Sequence, residues 1–156
     1  MALNGWFQPK FMLNHVGKKL VNMSSDTFNC GLIQSGTALA ARGTTEGYEF
    51  VSDLLANNGT ALTEASGGGY SRLSLASVTW TLSGLVVTFT AASPIWNPLT
   101  ASLAYAWIHD ETASSATDAT RPLLAIYDLG GTQAPSGVPF ELVVSGSGIW
   151  TDTASQ

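Results

Sequence analysis

Apolar and polar residues alternate along the second half of the chain, which is the pattern of half-buried β-strands. From Gly69 onward the alternation predicts strands over six segments, residues 70–75, 78–82, 85–90, 103–108, 123–129 and 140–144. Ser83 and Gly84 predict a hairpin turn between the second and third segments. The fourth and fifth segments are apolar at nearly every position, which predicts strands buried on both faces.

Proline and glycine mark the breaks between these strands. Pro94 and Pro98 bracket a segment that we expect to be a loop with an apolar tip. The two glycines at residues 130–131, together with residues 135–137, predict the turn between the last two strands. The three glycines at residues 67–69 predict a flexible turn, because the Lys-Ser/Thr pair of a phosphate-binding loop does not follow them.

The first half of the chain has a mixed pattern. Residues 11–22 carry an apolar stripe at helical spacing, with two lysines near its end, and predict a short N-terminal helix. Residues 1–9 contain a glycine and a proline that oppose helix formation, so they predict an extended arm. Residues 26–34 predict a strand, and residues 48–55 fit either a short helix or a loop.

Together these elements predict a mainly β fold. The expected architecture is a single-domain antiparallel β-sandwich or a partly open barrel, with a short N-terminal helix. A chain of 156 residues fits one domain. We therefore expect an N-terminal arm over residues 1–9 and one β-rich domain over residues 10–156.

The composition adds that the surface must be poor in charge. Only 11% of the residues are charged, against about 25% in average soluble domains. Small polar residues lose little side-chain entropy when a neighbour packs on them, so this surface is typical of a subunit in an assembly, although a secreted domain would share it. The net charge is −5 and the six basic residues are scattered, which argues against nucleic-acid binding. No apolar run reaches the ~20 residues of a membrane span.

The sequence carries no recognised motif for catalysis or for metal binding. It lacks the Gly-x-Ser-x-Gly elbow, paired Cys and His residues, and a phosphate loop, so we expect neither enzymatic activity nor a cofactor. His109 stands at a strand end beside Asp110, but adjacent strand residues point to opposite faces, so we expect no metal there. We expect His15 to be a packed or capping residue and Cys30 to be a small buried side chain.

Aromatic residues in the segments predicted as loops or termini indicate a contact surface, because Trp dominates binding hot spots. The candidate contact residues are Trp6, Phe7, Ile95, Trp96, Leu99 and Trp150. Three interpretations stay open: anchors on another subunit, a platform that stacks on sugar rings, or packing under the domain's own sheet.

Eight short motifs follow one another along the chain. They are a Lys-Lys-Leu helix end, Asp-Thr-Phe, Phe-Val-Ser-Asp, Gly-Tyr-Ser-Arg, Val-Thr-Trp, Ala-Tyr-Ala-Trp-Ile, Arg-Pro-Leu-Leu-Ala-Ile-Tyr-Asp and Phe-Glu-Leu-Val-Val. They occupy residues 18–20, 26–28, 50–53, 69–72, 78–80, 104–108, 121–128 and 140–144. In this order, over about residues 10–150, the layout resembles small virion proteins of tailed bacteriophages, which are labelled head decoration, minor capsid or minor tail proteins.

The resemblance implies a non-enzymatic structural protein that is synthesised in the host cytoplasm and incorporated into the virion, with the capsid exterior as the expected location. The implied partners are the major capsid protein, other virion proteins and further copies of this chain in a homo-oligomer, without direct contact to nucleic acid or membrane. The N-terminus lacks the basic region of a secretion signal, which fits cytoplasmic synthesis. The alternative is a tail or adhesin module that binds host-surface polysaccharide, and the choice between head and tail stays open.

Overall fold

The structure is a computed structural model that describes residues 4–8, 15–16, 20–41, 47–112 and 117–153, with the backbone alone for residues 4–7, 152 and 153. The strands are β1 Asn4–Phe7, β2 Phe28–Gln34, β3 Leu73–Ser74, β4 Thr79–Ser83, β5 Val86–Thr90, β6 Ile95–Thr100, β7 Leu103–Asp110, β8 Leu123–Gln133, β9 Ser136–Glu141 and β10 Trp150–Thr153. An α-helix, α1, spans Val51–Ala56, and a 3-10 turn follows over Asn57–Gly59.

A five-stranded antiparallel sheet in the order β1-β8-β7-β2-β3 forms the centre of the fold. Successive side chains of a strand point to opposite faces, so β2 and β7 each contribute to two hydrophobic clusters. Phe28, Cys30 and Leu32 of β2 belong to the cluster on one face, whereas Ile33 of β2 and Trp107 of β7 belong to the cluster on the other. Strands buried on both faces were predicted here, and the burial of β7 and of the first half of β8 confirms them.

Two smaller antiparallel units complete the β structure. Strands β10, β5 and β4 form a three-stranded sheet, and β6 pairs with β9 in a two-stranded ribbon. The three-stranded sheet packs on the central sheet through Phe89, whose ring meets that of Phe28 edge-on at a centroid distance of 5.0 Å. The fold is mainly β with antiparallel sheets, which confirms the predicted class. The β4–β5 hairpin also confirms the turn predicted at Ser83 and Gly84.

The opposite face of the central sheet is covered by α1 and the segments around it. Val51 and Leu54 of α1 are fully buried in the second cluster. The Asp53 carboxylate accepts a hydrogen bond from the Phe50 amide at 3.1 Å, which satisfies a free N–H at the helix start. The sequence left a helix or a loop open here, and the helix forms. Within the part of the chain that the structure describes, no helix is long and apolar enough to cross a membrane.

Several sequence predictions are wrong in their details. The last strand, expected over residues 140–144, spans Ser136–Glu141 instead. The segment between Pro94 and Pro98 is not a loop but the start of β6, because an edge strand tolerates proline where its register shifts. The glycines at residues 130–131 lie inside β8, and the turn comes after Gln133. The strand expected over residues 70–75 is reduced to Leu73–Ser74. The short strand β10 was not predicted.

The glycine run at residues 67–69 has a packing reason. Gly68 and Gly69 have positive φ angles, and a Cβ on either would collide with the backbone carbonyl oxygens of Thr100 and Pro98, respectively. Thr100 donates its backbone N–H to the carbonyl of Gly68 at 2.8 Å. Because these glycines have no side chain, the backbone of the loop before β3 can pack directly against the backbone of β6.

Strand β1 places the beginning of the described chain on the sheet edge, where Trp6 is paired with Ile126 and Phe7 with Ala125 of β8. The buried Gln8 side chain then accepts a hydrogen bond from the Tyr48 amide at 2.6 Å. Of the helix predicted over residues 11–22, residues 11–14 and 17–19 lie outside the described residues. Residues 20–22 are not helical, so the predicted helix end is wrong there.

Candidate functional site: an ion network and a charge-poor ribbon

Trp107 of β7 is the centre of a polar cluster on the α1 side of the sheet. Its side chain is fully buried and lies across Gly31, its cross-strand neighbour in β2. The Arg72 guanidinium carbon lies 5.3 Å from the centroid of the Trp107 ring, which is cation–π distance. The indole N–H donates to Nδ1 of His109 at 3.1 Å, so the alternation of β7 keeps both rings on one face.

His109 is held in one tautomer by its two partners. Because an indole N–H only donates, Nδ1 must accept, and the proton therefore resides on Nε2. Nε2 then donates to Oε2 of Glu111 at 3.0 Å. Burial lowers the pKa of His109 from 6.5 to about 4, even though Glu111 opposes the shift. The neutral His109 ring therefore joins Trp107 to Glu111 through two hydrogen bonds.

Glu111 and Asp118 lie in the connection between β7 and β8, and Arg121 binds both of them. Arg121 binds Glu111 with two parallel hydrogen bonds, Nε to Oε2 at 2.8 Å and Nη2 to Oε1 at 2.7 Å. Its Nη1 donates to Asp118 at 2.9 Å. The hydrogen bonds from Arg121 are the main reason that the pKa of Glu111 lies below its usual value. The paired fork geometry is the strong form of such contacts.

Arg72 extends this cluster across the sheet. It binds Asp118 through Nη1 at 2.6 Å and Nη2 at 2.9 Å, and it binds Glu64 through Nε at 2.8 Å and Nη2 at 2.7 Å. The Tyr70 hydroxyl donates to the same Glu64 carboxylate at 2.6 Å. The Arg72 guanidinium is therefore shared between Glu64 and Asp118.

We call Glu64, Arg72, His109, Glu111, Asp118 and Arg121 the ion network. Each of its carboxylates accepts hydrogen bonds from an arginine, and both arginines bridge two carboxylates. Because these charged groups bind one another, the network can hold together segments that are distant in sequence. Within the described ranges, no group of three or more His, Cys, Asp or Glu side chains is placed to hold a metal ion.

The low pKa of His109 makes the free energy of unfolding depend on pH. A histidine that is neutral in the folded state and charged in the unfolded state adds stability above its unfolded pKa, and this is lost as the pH falls from 6.5 to about 4. We expect the free energy of unfolding to decrease by about 3 kcal/mol over that interval. Urea denaturation at a series of pH values measures it.

The matched control for this pH dependence is His109→Gln, whose amide still donates to Glu111. The difference between the two stability profiles should grow from pH 4 to pH 6.5 and then stay constant. The low pKa values of Glu111 and Asp118 affect both proteins alike at lower pH. Parallel profiles between pH 4 and 6.5 would contradict the neutral assignment of His109.

The six predicted contact residues have different positions. Trp96 is 2% exposed and Leu99 is fully buried, so neither is accessible to a partner in this conformation. Trp96 donates its indole N–H to the Ser71 carbonyl at 2.7 Å. Trp150 is half-buried and stacks on Trp80 with ring centroids 5.1 Å apart. Ile95 is 52% exposed. Trp6 and Phe7 lie in β1, where only the backbone is described.

Strands β6 and β9 form what we call the β6–β9 ribbon. Trp96 and Leu99 are buried and anchor β6, whereas Ile95 of β6 is 52% exposed and Val138 of β9 is 49% exposed. Ile95 lies across from Glu141, and Val138 lies across from Leu99. Sequence reasoning found Ile95 but missed Val138, although the segment Ser-Gly-Val-Pro-Phe shows an aliphatic residue among turn-forming ones.

Charge is distributed very unevenly around this ribbon. No Asp, Glu, Lys or Arg occurs from Leu73 to His109, a stretch that contains β4, β5, β6 and nearly all of β7. Glu141 is the only charged residue of β9. The ion network, in contrast, gathers two of the six basic residues of the chain. The ribbon therefore presents a surface with little desolvation penalty, whereas the charged groups at the network are already paired.

A cavity of about 300 Å³ lies between the central sheet and residues 142–151. Ile108, Ala125 and Tyr127 line it from the sheet. The Tyr127 hydroxyl donates to the Ile149 carbonyl at 3.2 Å, and burial raises the pKa of Tyr127. This hydroxyl is therefore neutral and ties the covering segment to the sheet.

Comparison of the chain with protein-family models, with curated proteins and with solved structures gave no match.

Proposed function

We propose that this chain is a non-enzymatic structural protein of a tailed bacteriophage virion, a capsid decoration or minor capsid protein that docks on the major capsid protein from the outside. The observation that carries the proposal is the β6–β9 ribbon, which exposes Ile95 and Val138 beside the buried Trp96 and Leu99 and has Glu141 as its one charged residue. The order of motifs shared with small virion proteins supports the same function.

The ribbon suits docking for a physical reason. Burying aliphatic side chains is favourable by about 25 cal/mol per Å², and the Ser, Thr and Pro residues beside them lose little entropy on contact. Weak contacts of this kind add up when many copies bind a symmetric shell. The ion network has a supporting role, because it keeps the opposite side of the sheet rigid.

The polysaccharide-binding alternative depended on exposed tryptophan faces. Trp96 is buried, and one face of Trp150 is covered by Trp80. The burial of Trp96 and the partial cover of Trp150 make these two residues less suited to stacking on sugar rings, and this supports capsid docking as the proposed function.

The direct test is binding of the purified chain to particles that the encoding phage assembles without it. We expect saturable co-sedimentation with these particles and no retention on host-surface polysaccharide. Binding to the polysaccharide without binding to particles would replace the proposal with the adhesin alternative.

Introducing charge on the ribbon should weaken docking without unfolding the protein. We expect Ile95→Lys to raise the dissociation constant for particles at least about tenfold, because a lysine would have to be desolvated at the contact. Ile95 is paired with Glu141, so the new lysine has a partner within the ribbon, and we expect the free energy of unfolding to change by less than about 0.5 kcal/mol.

The matched control is Leu20→Lys, since Leu20 is 58% exposed and lies outside the ribbon. This variant should bind particles as the unmodified chain does. Equal binding by Ile95→Lys and Leu20→Lys would exclude the ribbon as the docking surface.

A further inference from the structure

Strand β4 forms an outer edge of the three-stranded sheet. Among the residues that the structure describes, the sheet order β10-β5-β4 leaves one side of β4 without a neighbouring strand. Four of its five residues are exposed, and Leu82 is 70% exposed. Natural edge strands are usually protected by lysine, proline or a bulge. The sequence of β4, Thr-Trp-Thr-Leu-Ser, contains neither residue, and its pairing with β5 runs without a register shift.

The pairing with β5 determines which backbone groups of β4 point outward. Ser83 and Val86 flank a two-residue turn, so they form a hydrogen-bonded pair. Hydrogen-bonded pairs alternate along an antiparallel ladder, so Thr81 also points its amide and carbonyl toward β5. Trp80 and Leu82 therefore direct theirs away from the sheet.

These outward groups are complementary to a second β4 strand. In an antiparallel pair related by a two-fold axis at Thr81, Trp80 lies opposite the partner's Leu82, and both have outward donors and acceptors. The two-fold axis generates a second pair of Trp80 and Leu82. Each pair exchanges two backbone hydrogen bonds, so the interface has four. We infer that two copies of this chain dimerise by pairing their β4 strands about Thr81, so that the two sheets join into one of six strands.

Side chains support the same register. The exposed Leu82 comes to lie across from the partner's half-buried Trp80, an apolar–aromatic pair of the kind that stabilises antiparallel strands. Thr81 meets its own copy on the opposite face. No charged residue lies in β4 or β5, so the two-fold brings no like charges together. The other edge strand, β10, carries Asp152, and β4 is thus the uncharged edge.

The test is the oligomeric state of the purified full chain by analytical ultracentrifugation. We expect a concentration-dependent monomer–dimer equilibrium. Thr81→Lys and Thr81→Glu should each weaken dimerisation at least about tenfold, because like charges would face each other at the axis. Mixed in equal amounts, the two variants should form a heterodimer, since lysine then faces glutamate.

The control is Thr151→Lys, which adds the same charge at an exposed position of β10, at the other edge of the sheet. It should dimerise as the unmodified chain does. The inference is overturned if the unmodified chain is a monomer up to about 1 mM, if Thr81→Lys dimerises as well as Thr151→Lys, or if the mixture stays monomeric. These measurements need no capsid, so dimerisation and ribbon docking can each fail alone.

Discussion

Replacing Gly31 with alanine is expected to lower the free energy of unfolding by about 3 kcal/mol, the upper end of the usual range for overpacking a core. A Cβ at this position would overlap the six-membered ring of Trp107, with Cε2 only 2.6 Å away. Moving the indole aside would break its hydrogen bond to His109 and its contact with Arg72. The backbone of β2 or β7 would have to shift instead. Chemical denaturation of the variant measures the loss.

Gly146→Ala is the matched control for this substitution. A Cβ there meets nothing within 4 Å, and no positive φ angle is found at Gly146. We expect its stability to change by less than about 0.5 kcal/mol. In a Trp107→Phe background, Gly31→Ala should be less harmful, because the smaller ring leaves space for the methyl group. Equal stability of Gly31→Ala and Gly146→Ala would show that Trp107 does not lie over Gly31.

Replacing Arg72 with methionine is expected to lower the free energy of unfolding by about 2 kcal/mol at pH 7. Removing one partner of a buried ion pair costs about 3–5 kcal/mol, and the partial exposure of these side chains, 18% for Arg72 and 31% for Asp118, reduces the effect through solvent screening. The variant leaves the Glu64 carboxylate without its cation and removes the cover of Trp107. Urea denaturation of both proteins gives the difference.

The pH dependence distinguishes lost pairing from lost packing. Arg72 holds the pKa of Asp118 below its usual 3.8, so the stability that this pair adds is present above that value and is lost as the pH falls through the lower, folded pKa. The effect of Arg72→Met should therefore shrink in acid. The neutral triple variant Glu64→Gln, Arg72→Met and Asp118→Asn should be more stable than Arg72→Met alone, because no carboxylate is left unpaired. An effect that does not change with pH would indicate a packing role alone.

Local sequence patterns sufficed to predict much of the central sheet. Strands β2, β7 and β8 were expected because each is a short apolar run bounded by turn residues, and the β4–β5 hairpin was expected from Gly84 at its turn. Burial of Cys30 is confirmed for the same reason, since it lies in such a run. These features depend on a few neighbouring residues, so the sequence alone reports them.

The parts that failed depend on contacts between distant residues. Arg72 and Asp118 are 46 positions apart, and no local pattern pairs them. Strand β6 contains Pro98 and becomes a strand only because β9 pairs with it. Trp96 looked like an exposed loop residue for that reason, although tertiary packing buries it. Gly68 and Gly69 mark a close backbone approach, whereas the glycine run on its own predicts only a flexible turn.

We propose a tailed-phage origin, and a cryo-EM map of particles of that phage would show both whether the chain is in the virion and which side of it faces the shell. We expect copies on the capsid exterior, with Ile95 and Val138 of the β6–β9 ribbon against the major capsid protein and the ion network turned away from the contact. Particles without the chain, or copies whose ribbon faces solvent, would contradict it.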